Sequence, residues 1–141
     1  KNCKNAYGID AASEMIRNAQ KFNTRGKYIN CNIEQWNTKM KFHIILSMET
    51  FYYFKNPGDI IKNIFNNLLY DNGILIIGID HYLENIPSLN WGKKFNLTLN
   101  TLKASDWSNL LKNNQCQNVK QYIYGTTNDW AGTLILYSIK K

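Results

Sequence analysis

The chain has 141 residues, 44% of them hydrophobic and 13% aromatic, which is enough apolar material for the core of one domain and too much for a disordered chain. No apolar run approaches the ~20 residues that span a bilayer and no signal-peptide pattern opens the chain, so a soluble, non-exported protein without a membrane partner is expected. The net charge of +7 raises nucleic acid as a partner, but the lysines are scattered and no RNA-binding signature is legible, which disfavours it.

Cys3, Cys31 and Cys116 are odd in number and widely spaced, with no Cys-x-x-Cys pair. They do not read as a disulfide framework or a zinc site, and a reducing, cytoplasmic setting is the simpler expectation. His43 and His81 are too isolated for a metal cluster, so no metal is expected.

Taken in order, Ala6 to Asp10 is a short apolar run ending in a carboxylate. Met15, Ile16, Ala19 and Phe22 follow at helical spacing. This predicts a strand feeding a helix, with Asp10 at the strand's carboxyl end. Open α/β sheets bind ligands there, and an acid at that place commonly holds a pair of ribose hydroxyls. The alternative is that Asp10 only caps the helix. Lys27 to Cys31 reads as a second short strand after the Arg25-Gly26 break, running into the polar step Asn32-Ile33-Glu34.

Phe42 to Glu49 carries an unalternating apolar run, the pattern of a parallel strand buried on both faces, with Ser47, Met48 and Glu49 at its carboxyl end. His43, at the other end, is read as structural. The aromatic cluster from Phe51 to Phe54 suits core filling, with Tyr52 and Tyr53 as candidates to line a substrate cavity. Asn56-Pro57-Gly58-Asp59 opens a helix. Its apolar face is Ile60, Ile61, Ile64, Phe65, Leu68 and Leu69, and Gly73 is its expected left-handed cap. Ile74 to Ile79 is a second doubly buried strand.

The connection from His81 to Thr101 is long and weakly periodic, which suggests a lid or binding loop. His81 and Tyr82 are the acid–base candidates, against the alternative of a solvated loop histidine. Ser105 is expected to cap a helix whose inner face is Trp107, Leu110 and Leu111. Val119 to Tyr124 and Gly132 to Ile139 read as two final strands joined by a polar turn. Trp130 either faces the substrate side or packs the hairpin end.

The stretch "GIDAASEMIRNA" resembles the second-strand signature of class I S-adenosylmethionine-dependent methyltransferases, and "FHIILSMETFYYF" is similar to their fourth strand. The closing strand pair resembles the antiparallel hairpin that ends their sheet, and the segment from Asp80 to Leu111 looks like the substrate-covering insert of small-molecule members, of the ubiquinone/menaquinone-biosynthesis type. The resemblance implies S-adenosylmethionine as cofactor. It puts Asp10 on the cofactor ribose and Ala11 and Met15 near the adenine. Asn32 stands where an Asp usually accepts from the adenine amino group, and its carbonyl oxygen can do the same. Ile33 offers its backbone N–H to the ring. Ser47 and Met48 fall on the cofactor side, while Glu49, Tyr52, Tyr53 and Trp130 fall on that of a small-molecule acceptor.

The expected fold is therefore α/β: one Rossmann-like methyltransferase domain over residues 1–141, with a mostly parallel sheet and a C-terminal antiparallel hairpin. The family's first strand and Gly-rich loop would precede Lys1, so the chain is expected to be truncated at its N-terminal side. Removing that central strand should leave one pair of strands and a separate group of four, with an exposed apolar face. Other readings are a NAD-binding Rossmann oxidoreductase fragment, which predicts no closing hairpin, and an RNA-directed methyltransferase or binding module. A non-catalytic partner subunit is a further one. Ser47-Met48-Glu49-Thr50 lacks the Asn/Asp-Pro-Pro-Tyr step of enzymes that methylate exocyclic base amines.

Overall fold

The computed structural model describes residues 5–114 and 116–141; Cys3 lies outside them. The chain divides into two units, residues 1–38 and 39–141. In the first, β1 (Tyr7–Asp10) and β2 (Lys27–Asn30) pair in parallel, from Tyr7 opposite Lys27 to Asp10 opposite Asn30. The helix α1 (Ser13–Phe22) connects them. Its predicted inner face is narrower than the periodicity suggests, because Ile16 is buried whereas Met15 and Phe22 are exposed, Phe22 by 92%. A two-stranded sheet has too little surface to cover a whole helix face. Neither Asp10 nor Ser13 caps α1: the N-cap is Ala12, without a side-chain cap bond.

The second unit holds a four-stranded sheet in the order β3-β4-β6-β5. Its strands are β3 (Phe42–Met48), β4 (Leu69–Ile79), β5 (Gln117–Tyr124) and β6 (Thr133–Ile139). β3 and β4 are parallel, and β6 and β5 close the sheet as an antiparallel hairpin. The strands thus fall into the pair and the group of four that the sequence predicts. The expectation that β3 is buried on both faces fails. It has one neighbour in the sheet, and Ile44 and Leu46 are about 60% exposed at 60% and 62%.

Between β3 and β4 lie α2 (Pro57–Asn63), with Pro57 in its first turn, and one wider turn over Ile64–Leu68, where the Leu69 N–H bonds back to the Ile64 carbonyl. Ile60, Ile61, Ile64, Phe65, Leu68 and Leu69 are all buried, as their spacing demands. The end of this segment differs from expectation. β4 already begins at Leu69, and Asn72, not Gly73, takes the left-handed conformation (φ 62°). Gly73 serves a close approach instead, since a Cβ there would stand 2.6 Å from the Tyr70 carbonyl oxygen. Gly73→Ala is therefore expected to destabilise the protein by about 1–3 kcal/mol in chemical denaturation, the range for overpacking.

Two further helices complete the unit, the short α3 (Trp91–Phe95) and α4 (Ala104–Asn113). Trp107 and Leu111 of α4 are buried, while Leu110 is only half-buried. Ser105 does not cap α4. The Ala104 N–H is taken by the Glu84 carboxylate, at 3.2 and 3.0 Å, so the helix start is fixed by a residue 20 positions earlier.

Candidate active site

In each unit the informative residues gather at the carboxyl ends of parallel strands. In the first, Asp10 ends β1 and its Oδ1 accepts the Ala12 N–H at 2.7 Å, which fixes the carboxylate at the strand-to-helix turn. Oδ2 has no partner among the described residues. Asn30 ties the two strand ends together, its Nδ2 donating to the carbonyls of Asp10 and Ala11 at 2.9 Å each. Just beyond β2, Asn32 Oδ1 accepts the Glu34 N–H at 2.9 Å. That leaves one of its two lone pairs for another donor. The Ile33 N–H has no acceptor among the described residues. One edge thus offers two acceptors and one donor, the set a ribose hydroxyl pair and an adenine edge require. Met15 stands on the first turn of α1, 57% exposed.

In the second unit, Met48 ends β3 opposite Gly78 of β4, so both strands deliver their carboxyl ends side by side. Met48 lies against Gly78, where a Cβ would meet its sulfur at 2.5 Å. Ser47, half-buried, precedes it. Glu49 is strained, with φ 53°, and its N–H bonds to the Gly78 carbonyl at 2.9 Å. Its Oε2 accepts the Tyr52 hydroxyl at 2.8 Å. Its Oε1 and Asp80 Oδ1 are buried and have no hydrogen-bond partner among the described residues. Burial raises the Glu49 carboxyl; the Tyr52 hydroxyl opposes this, the Asp80 charge adds to it, and the nearby Asp80 amide lowers it. Burial, and then the Glu49 carboxylate that it faces, push the Tyr52 phenol well up, so it stays a donor.

The loop after β4 is anchored, not solvated. His81, expected as a loop histidine in water, is 1% exposed. Its Nδ1 lies 3.0 Å from the Ser88 carbonyl and its Nε2 2.7 Å from the Thr101 hydroxyl. With Nδ1 donating and Nε2 accepting, one neutral tautomer satisfies both. Burial lowers its pKa against the opposing Ser88 bond. The unfolded chain therefore takes up a proton at higher pH than the folded one. Stability is expected to fall as pH drops below the ordinary histidine value of about 6.5, and a His81→Gln variant should lose that part of the slope in denaturation curves at several pH values. Tyr82, fully buried, donates to the Gly132 carbonyl at 2.9 Å, and Asn85 Oδ1 accepts the Ala131 N–H at 3.2 Å. These two bonds pin the loop to the β5–β6 turn that carries Trp130.

The result is a connected aromatic group. Trp91 stacks with His81 on one side (6.0 Å, 27°) and with Trp130 on the other (6.2 Å, 27°). Tyr52 meets Trp91 and His81 edge-on and packs against Tyr53, which is 48% exposed. Trp130 therefore belongs to the group at the sheet's carboxyl edge. Sequence reasoning did not single out Trp91 or Asp80. The only signal for Asp80 was its place directly after a buried strand, the same signal that marked Asp10.

Residues 1–77 match the family described as Methyltransferase domain. The chain belongs to that family. Its methyl donor is S-adenosylmethionine, and the free acceptors and donor at Asp10, Asn32 and Ile33 fit the nucleoside part of that molecule. No curated protein matches the chain by sequence. Among solved structures, it is similar to a complex between the Haloferax volcanii Trm112 methyltransferase activator and a protein described as a methyltransferase. There the identity is 18% and the TM-score 0.85, over 99% of this chain and 72% of that one. It is similar to the N-methyltransferase NodS from Bradyrhizobium japonicum in complex with S-adenosyl-L-homocysteine, at 17% identity and TM-score 0.68, over 98% of this chain and 67% of that one. A third is the Burkholderia thailandensis 1,6-didemethyltoxoflavin-N1-methyltransferase, at 14% identity and TM-score 0.71, over 96% of this chain and 60% of that one. At these identities the likeness shows the α/β methyltransferase fold. The antiparallel β4-β6-β5 edge is the feature that a dinucleotide dehydrogenase was expected to lack. Among the described residues no helix is long and apolar enough to cross a membrane.

Proposed function

We propose that the protein transfers a methyl group from S-adenosylmethionine to a small-molecule acceptor, its 141 residues forming part of one methyltransferase domain. The observation that carries the reading is the Asp10 carboxylate, held by the Ala12 N–H through Oδ1 with Oδ2 left over at the end of a parallel strand. In this reading Asp10 binds the ribose, Asn32 and Ile33 the adenine edge, and Ala11 and Met15 flank the ring. Ser47 and Met48 border the cofactor, and Glu49, Tyr52, Tyr53 and Trp130 face the acceptor. Bound S-adenosylmethionine would supply an electrophilic methyl on a sulfonium. The chain's own contribution is orientation and exclusion of water, which can account for most of such a reaction. His81 and Tyr82 act by holding the loop, because their polar atoms are already engaged.

The toxoflavin enzyme acts on a small molecule by its name, which supports the acceptor class. The Haloferax neighbour is solved with an activator protein, so a protein partner belongs to the same proposal. Free thiols at Cys31 and Cys116 accord with a cytoplasmic setting. Calorimetric titration of S-adenosylhomocysteine into the full-length protein tests the reading: saturable binding supports it, and its absence removes it.

A further inference from the structure

Three observations meet at the carboxyl ends of β3 and β4. Glu49 sits in a left-handed backbone conformation that glutamate seldom adopts. Strain of this kind persists only where the surroundings enforce it, and it concentrates at ligand sites. Glu49 Oε1 and Asp80 Oδ1 are both withdrawn from solvent and have no hydrogen-bond partner among the described residues. A buried acceptor without a donor costs free energy, more so when charged. In a chain with 17 Lys and Arg residues, none within the described residues pairs with either carboxylate; the single ion pair there is Lys140 with Asp71. The third is the aromatic group, which reaches Glu49 through the hydroxyl of Tyr52 and continues to Trp91 and Trp130.

Two carboxylate oxygens lacking donors beside aromatic faces form a site for a group that is both cationic and rich in N–H. A neutral alcohol supplies one donor and no charge; a carboxylate supplies neither. We propose that the acceptor is an amine, docked as its ammonium form on Glu49 and Asp80 with its substituents against Tyr52, Trp91 and Trp130. One N–H proton then passes to the Glu49 carboxylate, which frees the nitrogen lone pair that accepting a methyl group requires. The ammonium's three N–H donors satisfy the unpartnered oxygens, and the ring faces attract its charge. Tyr53, which packs against Tyr52, is half-exposed. This inference rests on the methyltransferase reading for its meaning, but the binding it predicts needs no cofactor.

The test uses the full-length protein and three probes of nearly equal shape: phenethylamine, 2-phenylethanol and 3-phenylpropanoate. Binding is followed by tryptophan fluorescence, since Trp91 and Trp130 are at the site, and by calorimetry. Phenethylamine should bind about tenfold or more tightly than the alcohol, the value of a charge-assisted bond, and the carboxylate should bind worst. Glu49→Gln and Asp80→Asn should each erase that preference while keeping the thermal midpoint within a few degrees. Equal binding of amine and alcohol, or an undiminished preference in both variants, overturns the inference, as does a failure of all three probes. S-adenosylhomocysteine is titrated in parallel. If it binds while the amine preference is missing, the acceptor class is wrong and the methyltransferase reading stands. The reverse result leaves an amine site and removes the methyltransferase reading.

Discussion

Asp10→Ala is expected to weaken S-adenosylhomocysteine binding by about 100-fold or more, without unfolding the protein. The size follows from two hydrogen bonds to a charged group, each contributing about 1.5–3 kcal/mol. The carboxylate is well prepared for them, because its Oδ1 is already fixed by the Ala12 N–H at 2.7 Å and little side-chain freedom remains to be lost on binding. Asp10→Asn separates the two jobs of the residue. Its amide oxygen can keep the turn, while its NH2 replaces an acceptor by a donor on the ligand side. It should fold as well as the natural protein and still bind markedly less tightly. Calorimetry gives the affinities, and thermal melts of all three proteins give the control. An Asp10→Ala protein that binds within a few-fold of the natural one would reduce Asp10 to a turn residue.

Tyr82→Ala should be the most damaging single change in the loop after β4. The ring is fully buried and its hydroxyl donates to the Gly132 carbonyl 50 positions later, which joins the loop to the β5–β6 turn. Burial, with the charges of Glu84 and Asp80 adding to it, raises the phenol's pKa, so the donor is retained throughout the working range. Removing a buried aromatic side chain costs about 3–5 kcal/mol, and at this chain length each kcal/mol lowers the midpoint by about 2–4 °C. A drop on the order of 10 °C is therefore expected. Tyr82→Phe keeps the packing and removes only the donor, leaving a carbonyl unpaired at a cost of about 1–2 kcal/mol. The difference between the two variants measures the ring apart from its bond. A Tyr82→Ala protein as stable as Tyr82→Phe would show that the ring fills no essential space.

The sequence by itself determined the elements and the edge at which they matter. Short apolar runs ending in Asp10, in Asn30 before Asn32, and in Met48 before Glu49 define parallel strands, and within each sheet chain direction then puts the polar steps at the carboxyl ends. Spacing likewise determined that Ile60, Ile61, Ile64, Phe65, Leu68 and Leu69 share a buried face, and that the chain closes with a hairpin. Only the tertiary structure decided what occupies the irregular segments. Nothing in the local pattern distinguishes a solvated loop histidine from His81, buried between the Ser88 carbonyl and the Thr101 hydroxyl. Nor does it assign the start of α4 to Glu84 instead of Ser105, or bring Trp91 and Trp130 into one stack with His81. Periodicity records which side of a regular element meets the core. These contacts join residues 7 to 39 positions apart through backbone that repeats nothing, so their partners appear only when the chain has closed on itself.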